Sequence, residues 1–313
     1  MTGHIVVLVN PSSGRGRGAA AAARAVERLE ALADDVRVLT GDSVDDTRRL
    51  AREAVASRPR ALVVVGGDGT LSSVLSAVVG SGVPIALVPA GTGNDLARAL
   101  GLPFEASDAA SAAAELALNG TPRAIDVGEV ESSAGVAHFL TVAALGFDAH
   151  VSERTNRLTW PRGRLRYYVA LLIELARLRP MPFSVAFDGG AALAMPGTLI
   201  AVGSTRSYGG GMPVCPDADP ADGLLDVTHV APLGRLKLVR LFPLLLRGTH
   251  VDRPEVTTVR SSLVEVDAPG LVVYADGERV GAGRARIRVV AGALTMLVPV
   301  AVAATSEPQE LAA

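Results

Sequence analysis

The chain of 313 residues is long enough for two domains with separate cores, and 49% of it is hydrophobic with few aromatics. A formal net charge of −2 excludes the strongly basic surface that nucleic acid demands, so no nucleic-acid partner is expected. The single cysteine, Cys215, excludes an intrachain disulfide, and no apolar run is long enough to span a bilayer, the best being broken by Glu174 and Arg177.

Residues 5–9 read as a buried parallel strand, too short for a signal peptide. The strand runs into Asn10, Pro11, Ser12, Ser13, Gly14, Arg15, Gly16 and Arg17, and an Ala-rich helix follows over 19–32. That loop has neither the Gly-Lys-Ser/Thr of a Walker A loop nor the spacing of a dinucleotide fingerprint, and by itself it reads as a flexible Gly/Ser turn. A short strand over 36–39 ends at Thr40, and a helix follows over 45–57.

The β-branched run 61–65 ends in Gly66, Gly67, Asp68, Gly69 and Thr70, after which Leu71, Val74, Leu75 and Val78 recur at helical spacing. Three glycines let another group approach the backbone closely, and the free N–H groups of a helix start favour an anion. Asp68 is out of place there unless a divalent cation accompanies the anion, as Mg²⁺ accompanies the phosphates of ATP. A strand over 83–88 then ends in Gly91, Thr92, Gly93, Asn94 and Asp95, with a helix over 96–100 and another over 106–118. Alternating strands and helices imply right-handed crossovers and an open α/β sheet. The loops after residues 9, 39, 65 and 88 all fall at the carboxyl edge of that sheet, where such folds bind ligands.

The texture changes after Asp126. Strands are expected over 138–142, 183–187, 198–202, 225–230, 262–266 and 271–274, which reads as a mainly β second domain with two inserted helices. The expected division is an α/β domain over 1–127, a β-rich domain over 128–293 and a polar tail over 305–313. The scattered histidines 4, 138, 150, 229 and 250 have no metal-ligand spacing and read as ordinary surface or core residues.

Residues 10–14, 66–70 and 89–98, then Asp222-Gly223 and Asp276-Gly277-Glu278, follow one another as they do in the diacylglycerol-kinase catalytic-domain family. Over nearly its full length the chain resembles the soluble bacterial lipid kinases of that family. The Gly-Gly-Asp-Gly element alone is shared with NAD kinases and phosphofructokinases. The resemblance implies a Rossmann-like N-terminal domain, a C-terminal β-sandwich, an active site in the cleft between them and a last strand, near 294–300, returning to the first domain. It implies an ATP- and Mg²⁺-dependent kinase of a lipid hydroxyl, with diacylglycerol converted to phosphatidate as the first expectation.

Residue by residue, the resemblance assigns nucleotide contacts to Asn10, Pro11, Ser12, Ser13, Gly14, Thr40, Gly66, Gly67, Asp68, Gly69, Thr70, Thr92 and Asn94. It suggests a metal–water network on Asp68, Asp95 and Asp126, although Asp95 reads equally as a helix cap and Asp126 as a turn residue. Glu278 is the expected general base, with Asp276 and Asp68 as the other candidates; without the family, Asp276-Gly277 reads as a hairpin turn. A second Mg²⁺ is implied on Asp219, Asp222 and the Leu224 carbonyl, where the spacing does not fit an EF-hand and an acidic turn is the plain alternative. Basic amphipathic stretches around 162–178 and 235–247 suit an anionic membrane surface, with Arg166 as lipid or membrane contact, or simply pack on a core. The expected location is cytoplasmic, peripheral to the membrane face, and a homodimer is left open. The alternatives are a kinase of a sphingoid base, of ceramide or of NAD, and a nucleotide- and lipid-binding regulator without catalysis.

Overall fold

A computed structural model describes residues 3–11, 13, 17–104, 109–161 and 164–300. The expectations for Ser12, Gly14, Arg15 and Gly16, for the start of the helix at 106–108, for residues 162–163 and for the tail 305–313 lie outside the described residues. The chain divides into two compact units, Met1–Asp126 with Ala291–Ala313, and Val127–Val290.

The first unit is built on strands β1 (Ile5–Val9), β2 (Val36–Thr40), β3 (Ala61–Gly66) and β4 (Ile85–Pro89), with helices α1 (Arg17–Glu30), α2 (Val44–Ala56), α3 (Asp68–Val78), α4 (Asp95–Ala99) and α5 (Ala109–Asn119). The strands are parallel in the order β2-β1-β3-β4, and β1, β3 and β4 are buried throughout. Burial on both faces explains why they read as unbroken apolar runs. One face packs Ile5, Val7, Val63 and Val65 against Ala25 and Leu29 of α1 and Ala113 and Ala117 of α5. Alanines on these helices bring them close to the sheet at little side-chain entropy cost.

The second unit continues from β5 (Thr121–Ser132) through β6 (Gly135–Phe139), β7 (Val142–Gly146), α6 (Phe147–Arg157), α7 (Arg164–Ala176), β8 (Ser184–Phe187), β9 (Leu193–Ala194), β10 (Leu199–Gly203), β11 (Leu225–Val230), α8 (Arg235–Leu245), β12 (Val256–Ser261), β13 (Leu263–Asp267), β14 (Val272–Ala275), β15 (Glu278–Ala282) and β16 (Ala285–Val298). An antiparallel sheet runs β12-β11-β10-β7-β14-β15. A second antiparallel layer pairs β8 with β13 and β13 with the first half of β16. Inward residues of both layers, among them Phe139, Leu145, Ile200, Val227, Val264 and Ile287, form one core, which makes this unit a β-sandwich. Gly128 exists to admit Phe139: a Cβ there would lie 2.1 Å from the ring.

The other face of the β12-β11-β10-β7-β14-β15 sheet carries Leu199, Ala201 and Val230 in a smaller core with Leu238, Leu241 and Leu245 of α8. Arg235 at the start of α8 donates to the Leu175 and Ala176 carbonyls at the end of α7, joining the Leu178 amide on the first of them. Beyond Val290 the chain re-enters the first unit, where Met296 of β16 pairs in parallel with Ile85 of β4.

One expected strand is corrected. Residues 138–142 are not a single strand, because the chain breaks between β6 and β7 at Leu140 and Thr141. Their amides are taken by the side chain of Asp276 rather than by a neighbouring strand.

Candidate functional site

In the first unit three loops meet at the carboxyl ends of β1, β3 and β4. Asn10 donates through Nδ2 to Thr70 Oγ1 at 3.4 Å, and its backbone N–H donates to the Val65 carbonyl at 3.3 Å. The turns after β3 and β4 touch backbone to backbone: a Cβ on Gly67 would lie 2.6 Å from Gly91 Cα, and one on Gly91 would lie 2.5 Å from Gly67 Cα. Gly66 is held to a bare Cα by Thr70, whose side chain lies 2.4 Å from the Cβ position. Gly69 is different. It is exposed and nothing lies within 4 Å of its Cβ position, so no protein contact demands the glycine.

Gly67 is the N-cap of α3, and no side chain caps that helix. The N-cap of α4 is Asn94 rather than Asp95. Asn94 adopts φ 52 and accepts from the Gly91 amide at 3.0 Å, which locks the turn. Asp68 Oδ1 accepts from the Leu96 amide at 3.4 Å. Burial and then the charge of Asp95 push the Asp68 carboxyl up, while the amides of Asp95, Leu96 and Asn94 pull it down. Asp68 therefore caps α4 and faces Asp95, a pair of largely desolvated carboxylates on neighbouring turns.

Asp126 is elsewhere engaged. Its Oδ1 accepts from the Gly292 amide at 2.8 Å and pins the returning strand, and no three acidic, histidine or cysteine side chains converge on a metal position among the described residues. Thr40 and Thr92 are exposed at strand and loop ends. Thr40 and Pro11 share a groove of about 450 Å³ walled by Val9, Ala22, Ala23 and Val26.

In the second unit Asp276 and Gly277 form the turn between β14 and β15, with φ 49 and 83, the two left-handed residues of a type I′ hairpin. Both Asp276 oxygens accept hydrogen bonds, Oδ2 from the Leu140 amide at 2.9 Å and Oδ1 from the Thr141 amide at 2.9 Å and hydroxyl at 2.6 Å. Glu278, two residues on, opens β15 with an exposed side chain. Of the two, Glu278 is exposed and Asp276 is half-buried.

At the acidic turn Asp219 Oδ1 accepts from the Ala221 amide, Asp222 Oδ1 accepts from the Leu224 amide, both at 3.0 Å, and Asp222 pairs with Arg260. Asp226 was not singled out by sequence. Its Oδ2 is buried without a hydrogen bond, and burial, then Asp222, Asp217 and Asp219, push its pKa up to about 6 against the opposing charge of Arg260. Arg166 is half-buried and donates to the Leu158 carbonyl at 3.2 Å, so it is not a free surface cation.

A cavity of about 380 Å³ lies wholly within this unit, between α7, α8 and the sheet. Leu171, Leu175, Leu199, Val230, Leu241 and Leu245 are among its walls, and Leu172 and Val239, both more than half exposed, line it as well. Sequence reasoning missed this cavity, because its walls come from distant segments. It also missed Asp148, buried in the first turn of α6, although Gly146-Phe147-Asp148 repeats the strand–turn–helix form of Gly66-Gly67-Asp68.

An α/β unit with Gly-rich turns and a β-sandwich unit together make a two-domain fold. Residues 4–130 match the diacylglycerol kinase catalytic domain, and residues 141–298 match the YegS C-terminal NAD kinase beta sandwich-like domain. The diacylglycerol kinase of Mycobacterium tuberculosis (strain ATCC 25618 / H37Rv) is 44% identical over 298 residues, covering 95% of this chain and 96% of the relative. The chain belongs to the diacylglycerol kinase family of lipid kinases. A solved diacylglycerol kinase from Bacillus anthracis shares the fold with a TM-score of 0.71 at 22% identity, over 96% of this chain and 98% of that one. An NAD kinase from Archaeoglobus fulgidus, solved in complex with ATP, shares it more distantly, with a TM-score of 0.56 at 16% identity over 96% of each chain. No helix among the described residues is long and apolar enough to cross a membrane.

Proposed function

We propose that this chain transfers the γ-phosphate of ATP to a lipid hydroxyl, with diacylglycerol as acceptor and phosphatidate as product. The observation that carries the lipid is the apolar cavity of the second unit, within the size range of ligand sites and walled by leucine and valine. A soluble acceptor such as NAD would leave those walls without a partner. Leu172 and Val239 mark its open side, and with Leu165, Tyr168, Leu236 and Leu246 they give α7 and α8 an exposed apolar surface. This surface would rest on the membrane. That role suits these side chains better than Arg166, which the Leu158 carbonyl holds.

In this reading the turns of Asn10, Gly67–Thr70 and Thr92 hold the phosphates. Phosphoryl transfer needs positioning and charge neutralisation more than covalent help from the protein. The uncapped start of α3 offers backbone N–H groups to an anion, and the bare Gly69 lets it approach. Asp68 and Asp95 fit a nucleotide-bound Mg²⁺, since burial and then the charge of Asp95 raise the cost of the Asp68 carboxylate and both side chains supply hard oxygen donors. Asp226 Oδ2, which has no hydrogen bond among the described residues and an ion-pair contact with Arg260 Nε at 3.8 Å, lies beside Asp217, Asp219 and Asp222 and would fit a second cation that displaces the guanidinium. Bound there, Mg²⁺ would neutralise charge. Glu278 takes the proton of the attacking hydroxyl, and Asp276 holds the turn that presents it.

Incubation with γ-labelled ATP and mixed micelles of diacylglycerol, sphingosine or ceramide, or with NAD in solution, tests the reading. Label in a chloroform-soluble product from diacylglycerol is the expected result. Label on NAD alone, or ATP bound and never turned over, would overturn it.

A further inference from the structure

The cavity between α7, α8 and the sheet is apolar except for five polar side chains in its lining, Asp148, Tyr167, Tyr208, Thr228 and His250, and burial and then the Asp148 charge push the Tyr167 hydroxyl up. Thr228 is spent locally, its hydroxyl donating to the Val214 carbonyl at 2.9 Å. His250 is fully buried, with Nε2 at 3.1 Å from the same carbonyl and Nδ1 without a partner. Asp148 is 8% exposed, and its Oδ2 has no hydrogen-bond partner among the described residues. A carboxylate oxygen left unpaired in an apolar wall is costly, and such groups in folded proteins ordinarily have partners. Here the cost is visible as a carboxyl pushed up to about 6 by burial, relieved only in part by the Tyr208 hydroxyl beside it.

A cavity that took nothing but hydrocarbon would gain from Leu or Val at this position. An ionisable acceptor beside a tyrosine suits a ligand that brings a hydrogen-bond donor with its chain. We propose that Asp148, braced by Tyr208, is a specificity-determining residue that accepts a hydrogen bond from the acceptor hydroxyl of the lipid while it is docked in this cavity, before that hydroxyl turns to Glu278 for transfer. The apolar walls then take the chain, and the carboxylate selects lipid alcohols over ethers and esters of the same length. Hydrogen-bonding sites reject analogues that lack the group far more strongly than apolar walls reject a change of size. The proposal rests on the lipid-kinase reading.

Binding without ATP separates the two. A long-chain alcohol carrying a dansyl group at its far end, and the methyl ether of the same molecule, are titrated against the full chain by fluorescence. The wild type should hold the alcohol about ten- to a hundredfold more tightly than the ether, the range expected for a hydrogen bond to a charged group. Asp148→Leu should remove that preference while retaining the ether. Leu245→Trp, which fills the cavity, should weaken both probes at least tenfold. Equal affinity of the wild type for both probes, a preference that survives in Asp148→Leu, or undiminished binding in a folded Leu245→Trp would each overturn the proposal. Failure of the lipid-kinase reading shows instead as absent label transfer to any lipid, whatever the probes do.

Discussion

Asp276 and Thr141, 135 residues apart, are joined by two hydrogen bonds to a single carboxylate oxygen, at 2.9 Å from the Thr141 amide and 2.6 Å from its hydroxyl. The other oxygen takes the Leu140 amide. Asp276 thus terminates the β6 ladder and holds the β14–β15 turn, while Glu278 stays open. Asp276→Ala should lower stability by roughly 2–4 kcal/mol in urea unfolding, from the buried amides left unpaired and from Ala in a left-handed position. Glu278→Gln should leave stability within about 0.5 kcal/mol and reduce turnover on lipid by two orders of magnitude or more, about what general-base catalysis contributes. The reverse pattern would make Asp276 the base and Glu278 a surface residue.

Gly67 and Gly69 differ in what a methyl group would meet. Gly67→Ala forces the β3 and β4 turns apart, because the atom 2.6 Å away is backbone. A loss of roughly 1–3 kcal/mol in thermal unfolding is expected. Gly69→Ala meets nothing and should melt within a few degrees of wild type, while its KM for ATP should rise as the added methyl enters the space proposed for phosphate. A Gly69→Ala enzyme with unchanged KM would remove that glycine from the phosphate site.

Asp148 and Asp226 both titrate near 6 in the folded chain against an ordinary value of 3.8. With the folded pKa raised, the native state holds protons that the unfolded chain has released between these values. The contribution is full below pH about 4 and is lost as pH rises through about 6. Asp148, almost wholly buried, accounts for at most about 3 kcal/mol of this change. Urea midpoints taken from pH 4 to pH 7 should fall, and Asp148→Asn should flatten the fall without abolishing it, since Asp226 remains. An unaltered slope in the variant would show that Asp148 does not titrate there.

Arg235 ties α8 to the last carbonyls of α7, the two helices that flank the apolar cavity. Arg235→Ala should cost about 0.5–1 kcal/mol, since the Leu175 carbonyl keeps the Leu178 amide and the exposed Ala176 carbonyl can take water. The KM for lipid should rise and that for ATP should not. Equal changes in both constants would contradict a role confined to the lipid side.

Much of the α/β fold is legible from local pattern, because strands buried on both faces are continuous apolar runs. The strand at 5–9 matches β1 residue for residue, and 225–230 matches β11. The same property hides the break between β6 and β7. Phe139, Leu140, Thr141 and Val142 continue the apolar run with no Gly, Pro or Asn to mark a turn, since the break is imposed by Asp276 from far along the chain. The Gly-rich turns after β3 and β4 are legible because their chemistry is local, a few consecutive residues after a strand. The cavity and Asp148 are not. Their partners come from α6, α7, α8 and the sheet, and no spacing along the sequence encodes that meeting. Asp126 shows a partner that local pattern cannot reveal: its Oδ1 accepts from the Gly292 amide, 166 residues along the chain.

The central claim is phosphoryl transfer from ATP to a lipid hydroxyl at a site organised by Asp68. The most direct measurement is label transfer from γ-labelled ATP to diacylglycerol in mixed micelles, by wild type and by Asp68→Asn in parallel. The variant keeps an oxygen acceptor for the Leu96 amide and removes the charge that faces Asp95. Labelled phosphatidate from the wild type and a loss of at least a hundredfold in a folded Asp68→Asn are the predicted results. No labelled lipid from the wild type, or full transfer by the variant, would contradict the account.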